Sequence, residues 1–206
     1  MKRLNIVNFL KFSFAAFFVL LFLTSCSDSD VDQLIDKVLA SEHRTPSNVN
    51  RDKFRHPKET LLFFGLSPEQ SVVEITPGFG WYAEILAPLL RDKGQYYYTS
   101  YKLHKDINPF FIKMEQKFKE KMKLNPNIYE KLRWVHFKSN QPDFVPDGPV
   151  DMVLTFRNVH NWAKAGTAES MFAGFNKALK PGGVLGLIEH RAKPATPIDQ
   201  QIKSGY

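Results

Sequence analysis

The sequence predicts an α/β domain built on a doubly wound, mostly parallel sheet with helices on both faces. Short apolar segments alternate along the chain with amphipathic segments of helical period. Turns containing glycine or proline separate these segments. The 206 residues include one cysteine, which excludes an internal disulfide, so the domain depends on its apolar core.

The chain begins with a basic head and an apolar run over residues 12–23 that only Ser13 interrupts. This run is too short for a membrane-spanning helix, which needs about 20 residues, but it suits the apolar region of a secretion signal. We therefore predict a signal peptide over 1–25, a tether and N-terminal helix over 26–50, and the main domain over 51–206.

Residues 23–26, Leu-Thr-Ser-Cys, resemble the lipobox of bacterial lipoproteins. The resemblance implies lipidation at Cys26 and a lipid-anchored, periplasm-facing protein of the bacterial envelope. The sorting rule of these lipoproteins favours the outer membrane when Ser27 follows the cysteine. A plain cleaved signal peptide with a free Cys26 is the alternative.

The formal net charge is +7, and it falls to +4 when the leader residues Lys2, Arg3 and Lys11 are removed. Lysines are concentrated over 113–123, where glutamates are interspersed, which is typical of a solvated helix face. The sequence contains no nucleic-acid-binding motif and no Cys/His spacing of a zinc site, so we predict neither nucleic-acid binding nor a metal site.

Two helices are predicted before the first strand. Residues 30–40 carry apolar side chains at helical spacing, and residues 51–65 form a second helix that Gly65 ends. Ser71–Ile75 is predicted to be a buried strand, and the apolar segment 81–91 after the glycine turn is predicted to be a helix.

The next elements continue this alternation. Gln95–Tyr101 is rich in aromatic and β-branched residues and predicts a strand. Residues 108–123 predict a helix, with Pro109 in its first turn. Arg133–Phe137 and Val150–Phe156 are short apolar segments that predict the third and fourth strands.

A last helix is predicted over 167–179, stopped by a Pro-Gly-Gly turn at 181–183, and a last strand over 184–189. Strands that alternate with helices form parallel sheets, and such sheets bind ligands beyond the carboxyl ends of their strands. The glycine turn and the loops 156–160 and 189–191 should therefore meet in one crevice.

The glycine turn after the first strand is the main candidate binding site. Gly78 and Gly80 can adopt positive φ and allow a ligand to approach the backbone. The helix that starts near Trp81 offers free N–H groups to an anion, either the carboxylate of an amino-acid moiety or a pyrophosphate. A carboxylate at Glu74 favours a ligand with an amino group and a sulfonium, and it repels phosphates.

The spacing Gly78-x-Gly80-x-x-Ala83 also fits a dinucleotide-binding turn, which would make the chain a nicotinamide-dependent oxidoreductase. That fingerprint requires an acid at the end of the next strand, where residues 98–101 read Tyr-Thr-Ser-Tyr. The missing acid and the presence of Glu74 both disfavour this alternative.

The glycine turn and the Leu-Lys-Pro-Gly-Gly turn at 179–183, about 100 residues later, together resemble class I S-adenosylmethionine-dependent methyltransferases. The resemblance covers roughly residues 54–191. It implies S-adenosylmethionine as the cofactor, with Glu74, Gly78 and Gly80 among the residues that bind it. Segments 54–65 and 74–82 further resemble a group of exported, lipoprotein-type predicted methyltransferases of bacteria.

Two features depart from the family. The acid after the second strand that binds the ribose hydroxyls is missing, and Ser100 offers only a weaker contact. About 15 residues follow Arg191, where the family usually adds two further strands. We therefore expect the final strands to be missing, with the sheet edge open or covered by a partner, and the sequence leaves the oligomeric state open.

Candidate catalytic groups follow the fourth and fifth strands. His160, Glu189 and His190 all fall at the crevice end, and a histidine with its ordinary pKa of about 6.5 is a suitable base. Trp81 and Tyr82 are candidates for a cation–π contact with the sulfonium. The more ordinary role is structural in each case: histidines held by hydrogen bonds, and aromatic residues that pack on the sheet.

The function predicted from these observations is S-adenosylmethionine-dependent methyl transfer to a small-molecule acceptor by an envelope-anchored enzyme. A non-catalytic binding or scaffold protein on the same fold is the main alternative. The missing ribose acid, the short C-terminal region and the exported location favour that alternative. The sequence does not identify the methyl acceptor.

Overall fold

The computed structural model of the chain describes residues 28–105, 107–145 and 147–205. The predicted signal peptide and Cys26 lie outside the described residues. The helices are α1 (Asp28–Leu39), α2 (Pro46–Arg55), α3 (Pro57–Phe63), α4 (Ala83–Leu90), α5 (Pro109–Leu124), α6 (Pro126–Tyr129), α7 (Val159–Ala165), α8 (Ala168–Ala178) and α9 (Ile198–Ser204). The strands are β1 (Ser71–Ile75), β2 (Gln95–Tyr101), β3 (Arg133–Phe137), β4 (Val150–Phe156) and β5 (Leu179–Ile188).

The strands of the described residues form one five-stranded sheet in the order β3-β2-β1-β4-β5, and every neighbouring pair is parallel. The strand order reverses at β1, which pairs with β2 on one side and β4 on the other. Glu74 of β1 is in register with Tyr98 of β2 and Leu154 of β4. The structure confirms the predicted doubly wound parallel sheet, and its switch point lies beside β1.

Alternate strand residues enter two separate cores, one on each face of the sheet. Val72 and Leu154 pack in a core that also includes residues of α1, α3 and α4. Val73 and Val153 face the opposite side and pack with Trp162 of α7 and residues of α8. This alternation follows from the period of two along a strand, and it confirms that helices cover both faces.

The predicted single helix over 51–65 is wrong. The structure has two helices, α2 and α3, and His56 between them adopts a left-handed conformation with φ 45°. Pro57 lacks an N–H group and disfavours a helical conformation at the preceding residue, which explains the break. Because α2 begins at Pro46, the predicted domain boundary at residue 51 falls inside a helix.

Three short helices, α6, α7 and α9, were not predicted, because each is too short to show a clear period. The predicted turn at 181–183 lies within β5, where the pairing with β4 shifts register between Val150 and Met152. The paired part of the strand from Val184 onward corresponds to the predicted strand.

None of the helices in the described part of the chain is long and apolar enough to cross a membrane. Among the same residues, no three His, Cys, Asp or Glu side chains form a group that could hold a metal ion.

Candidate functional site

The loop between β1 and α4 is held in an unusual backbone conformation. Thr76, Gly78 and Gly80 have positive φ values of 46°, 65° and 79°. The Tyr98 hydroxyl donates a hydrogen bond to the Gly78 carbonyl (2.6 Å), and the Thr76 N–H donates to Thr99 Oγ1 (3.0 Å). A threonine in the left-handed region is strained by about 1–3 kcal/mol, so the loop needs contacts that hold it in this shape. The side chains of Tyr98 and Thr99 on β2 supply them.

Glu74 lies at the carboxyl end of β1, beneath this loop, and is 2% exposed. Burial raises the pKa of Glu74 to about 8, although the hydrogen bond that Oε2 accepts from the Tyr96 hydroxyl (2.6 Å) acts to lower it. The side chain is therefore mostly neutral at pH 7. Glu74 was predicted from the sequence to act as a carboxylate, whereas burial in the ligand-free protein favours its neutral form.

The two glycines of the loop have different roles. A side chain at Gly80 would overlap the ring of Phe118 on α5, because a Cβ there would lie 2.3 Å from Phe118 Cε2. A Cβ at Gly78 would meet only Met114 Sδ, at 3.8 Å. Gly80 thus allows α5 to pack against the loop. It is not among the residues that line the cavity above the loop, which is described next. The role of Gly80 as a cofactor-binding residue stays a prediction, and the structure shows that its missing side chain makes room for Phe118.

A cavity of about 280 Å³ opens above the carboxyl ends of β1 and β4. It brings together five of the residues predicted from sequence, namely Glu74, Gly78, Trp81, Tyr82 and His160. The remaining lining residues are Asn48, Arg51, Arg55, Ile75, Thr76, Pro77, Phe79, Phe156 and Arg157. The volume is close to the lower end of the range for small-molecule sites, which begins at about 300 Å³.

Trp81 and Tyr82 line this cavity mainly as packed residues. The Trp81 Nε1 donates a hydrogen bond to the Asn48 carbonyl of α2 (2.9 Å), and the Arg55 guanidinium lies 5.0 Å from the Trp81 ring centroid. The Tyr82 ring stacks on Phe156, with centroids 3.8 Å apart. These contacts attach α2 to the loop, and an arginine of the protein already occupies the cation–π position at Trp81.

A second, much smaller cavity, of about 20 Å³, lies on the other side of the loop and shares Thr76 and Gly78 with the first. Ser100, predicted from sequence, lines this second cavity beside Glu115 of α5. The two cavities together follow the loop across the carboxyl ends of β4, β1 and β2.

Glu115 is the main site residue that sequence reasoning missed. Its Oε2 accepts a hydrogen bond from Ser100 Oγ (3.0 Å), and its Oε1 accepts one from Lys119 Nζ (2.6 Å). Burial raises the pKa of Glu115, but hydrogen bonds from Lys119, His136 and Ser100 outweigh it, so the pKa is lower than usual. A carboxylate therefore does reach the end of β2, although it comes from a helix.

A signal for Glu115 was present in the sequence. Glu115 lies on the apolar face of α5, four residues after Phe111 and three before Phe118. An acid on the buried face of an amphipathic helix is unusual and needs a partner or a function.

Two of the three predicted catalytic residues meet. His160 Nδ1 lies 3.3 Å from Glu189 Oε1, while Glu189 Oε2 accepts a hydrogen bond from the Val159 N–H at the start of α7 (3.0 Å). His190 is exposed, and its backbone N–H donates to Glu189 Oε1 (3.2 Å). The arrangement places His160 at the cavity and Glu189 behind it.

Two buried polar atoms at the larger cavity lack hydrogen-bond partners among the described residues. They are Thr76 Oγ1 and His160 Nδ1, whose 3.3 Å approach to Glu189 does not have hydrogen-bond geometry. Buried polar atoms in folded proteins almost always have partners. Thr76 Oγ1, which lines both cavities, therefore fits a polar ligand, whereas His160 Nδ1 faces Glu189 behind the cavity.

No protein-family model matches this chain, and no curated protein matches it in sequence. Solved structures do resemble it. A SAM-dependent methyltransferase from Aquifex aeolicus aligns with a TM-score of 0.55 and 18% identity, over 86% of this chain and 81% of that one. Coclaurine N-methyltransferase bound to N-methylheliamine and SAH aligns with a TM-score of 0.51 and 10% identity, over 77% of this chain and 49% of that one. At such low identity the similarity shows a shared fold, the Rossmann-like methyltransferase fold.

Proposed function

We propose that this protein binds S-adenosylmethionine along the glycine loop and catalyses transfer of its methyl group to a small-molecule acceptor. The proposal rests on the site, and the methyltransferase fold is consistent with it. Its central observation is that Glu74 and Glu115 place carboxyl groups in the two cavities on either side of one glycine loop.

The residues present fit this cofactor. Glu74, once ionised, would hold the ammonium of the methionine moiety, and Glu115 with Ser100 would bind the ribose hydroxyls from the second cavity. The unpartnered Thr76 Oγ1 offers a further hydrogen bond to the ligand. When bound, S-adenosylmethionine supplies an electrophilic methyl group.

The protein's own part in the reaction is to align the acceptor and to remove its proton where it has one. His160 lines the cavity and is suited to accept that proton at a ring nitrogen. Glu189 lies beside Nδ1 and would stabilise the charged imidazolium that forms. Because Glu189 also binds the Val159 N–H at the start of α7, it acts as a positioning residue for His160.

Titration with S-adenosylhomocysteine tests the cofactor assignment. We expect micromolar binding by calorimetry to the protein, and about tenfold to hundredfold weaker binding to Glu115→Gln, because one charge-assisted hydrogen bond is lost. Glu120→Gln, an exposed position on the same helix, should leave the affinity within about twofold. Denaturant unfolding of both variants separates a loss of binding from a loss of fold.

The absence of S-adenosylhomocysteine binding to well-folded protein would refute the proposal. Binding with no transfer of labelled methyl to any acceptor in a cell extract would support the alternative of a non-catalytic scaffold protein. Equal affinities of the Glu115→Gln and Glu120→Gln variants would remove Glu115 from the site.

We further propose, from the leader sequence, that the protein belongs to the exported, lipoprotein-type group and is anchored to the bacterial envelope through Cys26. In cells fed labelled palmitate, we expect the wild-type chain to incorporate label and to fractionate with membranes. Cys26→Ser should abolish both results, because the acylated thiol is lost. Unlabelled wild-type protein in the soluble fraction would contradict this proposal.

A further inference from the structure

The larger cavity contains three arginines that the proposed methyl transfer has not used. Arg51 and Arg55 lie one turn apart on α2, and Arg157 follows β4. Arg157 adopts a left-handed conformation with φ 61°, which is uncommon outside glycine and is typical of functional sites. The three side chains therefore converge on one cavity from two separate elements.

The guanidinium group of Arg55 is close enough to those of Arg51 and Arg157 to be repelled by both. The pKa of Arg55 is lowered, first by burial and then by the positive charges of Arg51 and Arg157. Such a cluster is unfavourable unless a negative charge is placed within it. The Trp81 ring beneath Arg55 supports the side chain in this position.

Within the described part of the chain, none of the three forms an ion pair with an acidic side chain. Other arginines of the protein do form such pairs: Arg44 with Asp52, Arg91 with Glu130 and Arg133 with Asp147. Glu74 is the acid among the residues that line the cavity, and its raised pKa leaves it mostly neutral at pH 7. The positive charge of the cavity is therefore unbalanced.

The methyl donor does not balance this charge. S-adenosylmethionine carries an ammonium, a sulfonium and one carboxylate, so its net charge of +1 is offset by the ionised Glu74 and the charges of the three arginines remain unbalanced. A second ligand with an anionic group would supply the missing negative charge. Guanidinium groups bind carboxylates and phosphates through paired hydrogen bonds, which makes these two groups the matching chemistry.

We propose that the methyl acceptor is a small anion whose carboxylate or phosphate group is held by Arg51, Arg55 and Arg157. This inference rests on the proposed methyltransferase function. It deepens that function by assigning a substrate class. The anionic group would fix the acceptor in the same cavity as His160 and close to the donor site at Glu74.

The test is calorimetric titration with phenyl phosphate, benzoate and neutral benzamide, carried out on the protein alone and on the protein saturated with S-adenosylhomocysteine. We expect the two anions to bind in the millimolar range or tighter, and benzamide not to bind. The ratio of the two anion affinities identifies whether the site prefers phosphate or carboxylate. Arg55→Gln should weaken anion binding at least about tenfold, because a charged hydrogen-bonding partner is lost.

Two further variants keep the test decisive. Arg51→Gln removes an exposed member of the cluster, so it should weaken anion binding even if Arg55→Gln is unstable. Lys53→Gln removes a positive charge from the same helix at a position that does not line the cavity, and it should leave anion affinity within about twofold.

The inference is overturned if neither anion binds either form of the wild-type protein, or if the arginine variants bind anions as the wild type does. It is also overturned if Arg55→Gln weakens S-adenosylhomocysteine as much as it weakens the anions, because the arginines would then serve the donor's carboxylate. Failure of S-adenosylhomocysteine to bind the wild type refutes the methyltransferase proposal instead, and with it the assignment of the anion as methyl acceptor. The anion titration of the protein alone then still decides whether the three arginines form an anion-binding site.

Discussion

Replacing Glu74 by Gln should weaken S-adenosylhomocysteine binding about tenfold to hundredfold, and at the same time stabilise the ligand-free protein at alkaline pH. The loss of binding is expected because the ammonium of the ligand would lose its only buried counter-charge among the residues that line the cavity. The gain in stability is expected because a buried carboxyl that must ionise opposes folding.

The direction of the pH effect follows from the pKa values. Glu74 has a pKa of about 8 in the folded protein, against 4.5 for an exposed glutamate. Between these values the unfolded chain releases a proton that the folded protein keeps. The stability that the neutral Glu74 side chain allows is therefore complete below about pH 4.5. It is lost as the pH rises to about 8, and the free energy of unfolding falls by about 3–5 kcal/mol in total. The Glu74→Gln variant should lack this pH-dependent loss of stability.

Binding should have the opposite pH dependence. A cationic ligand selects the ionised form of Glu74, so the affinity of the wild-type protein for S-adenosylhomocysteine should rise with pH up to about 8 and then level off. Calorimetry at pH 6, 7 and 8 in buffers of different ionisation enthalpy would detect the proton that Glu74 releases when the ligand binds. Denaturant titration of the ligand-free protein at pH 6 and pH 9 tests the predicted change in stability.

Glu130→Gln is the matched control, since this half-exposed carboxyl pairs with Arg91 and lines neither ligand cavity. It should change neither the binding nor its pH dependence. If Glu74→Gln instead binds as tightly as the wild type, or is less stable than the wild type at pH 9, Glu74 is a structural residue and its assigned role is wrong.

Gly80→Ala should lower the free energy of unfolding by about 2–5 kcal/mol, whereas Gly78→Ala should lower it by about 1–2 kcal/mol. Both residues have positive φ, so an alanine costs about 1–2 kcal/mol of backbone strain at either position. At Gly80 the new methyl group also meets Phe118, a fully buried ring stacked on Tyr98. This overpacking adds about 1–3 kcal/mol.

Urea denaturation of the two variants measures the difference, with Gly78→Ala as the internal reference for strain. Equal losses of stability would show that Phe118 can move away and that Gly80 is not needed for packing. The result also matters for ligand tests, because a loss of binding in a Gly80 variant would reflect a damaged loop. Gly78→Ala is the cleaner probe of close ligand approach.

Local patterns in the sequence were sufficient to predict the fold class. Each strand is a short run of apolar or β-branched residues, and strands that alternate with helices can form a sheet in few ways. The placement of Glu74 and His160 also followed, because residues at the carboxyl ends of parallel strands share one edge of the sheet. The break at His56 was predictable in principle from Pro57, although the segment was predicted to continue as one helix to Gly65.

The sequence by itself determined the sheet, the glycine loop and the edge at which the candidate site lies, because these depend on short-range periodicity and on turn chemistry. Only the tertiary structure decided which side chains meet there. Glu115 reaches Ser100 because α5 packs back across β2, and the three arginines converge because α2 lies over the glycine loop. The neutral state of Glu74 was also decided at this level, since desolvation depends on the packing of neighbours that are distant in sequence.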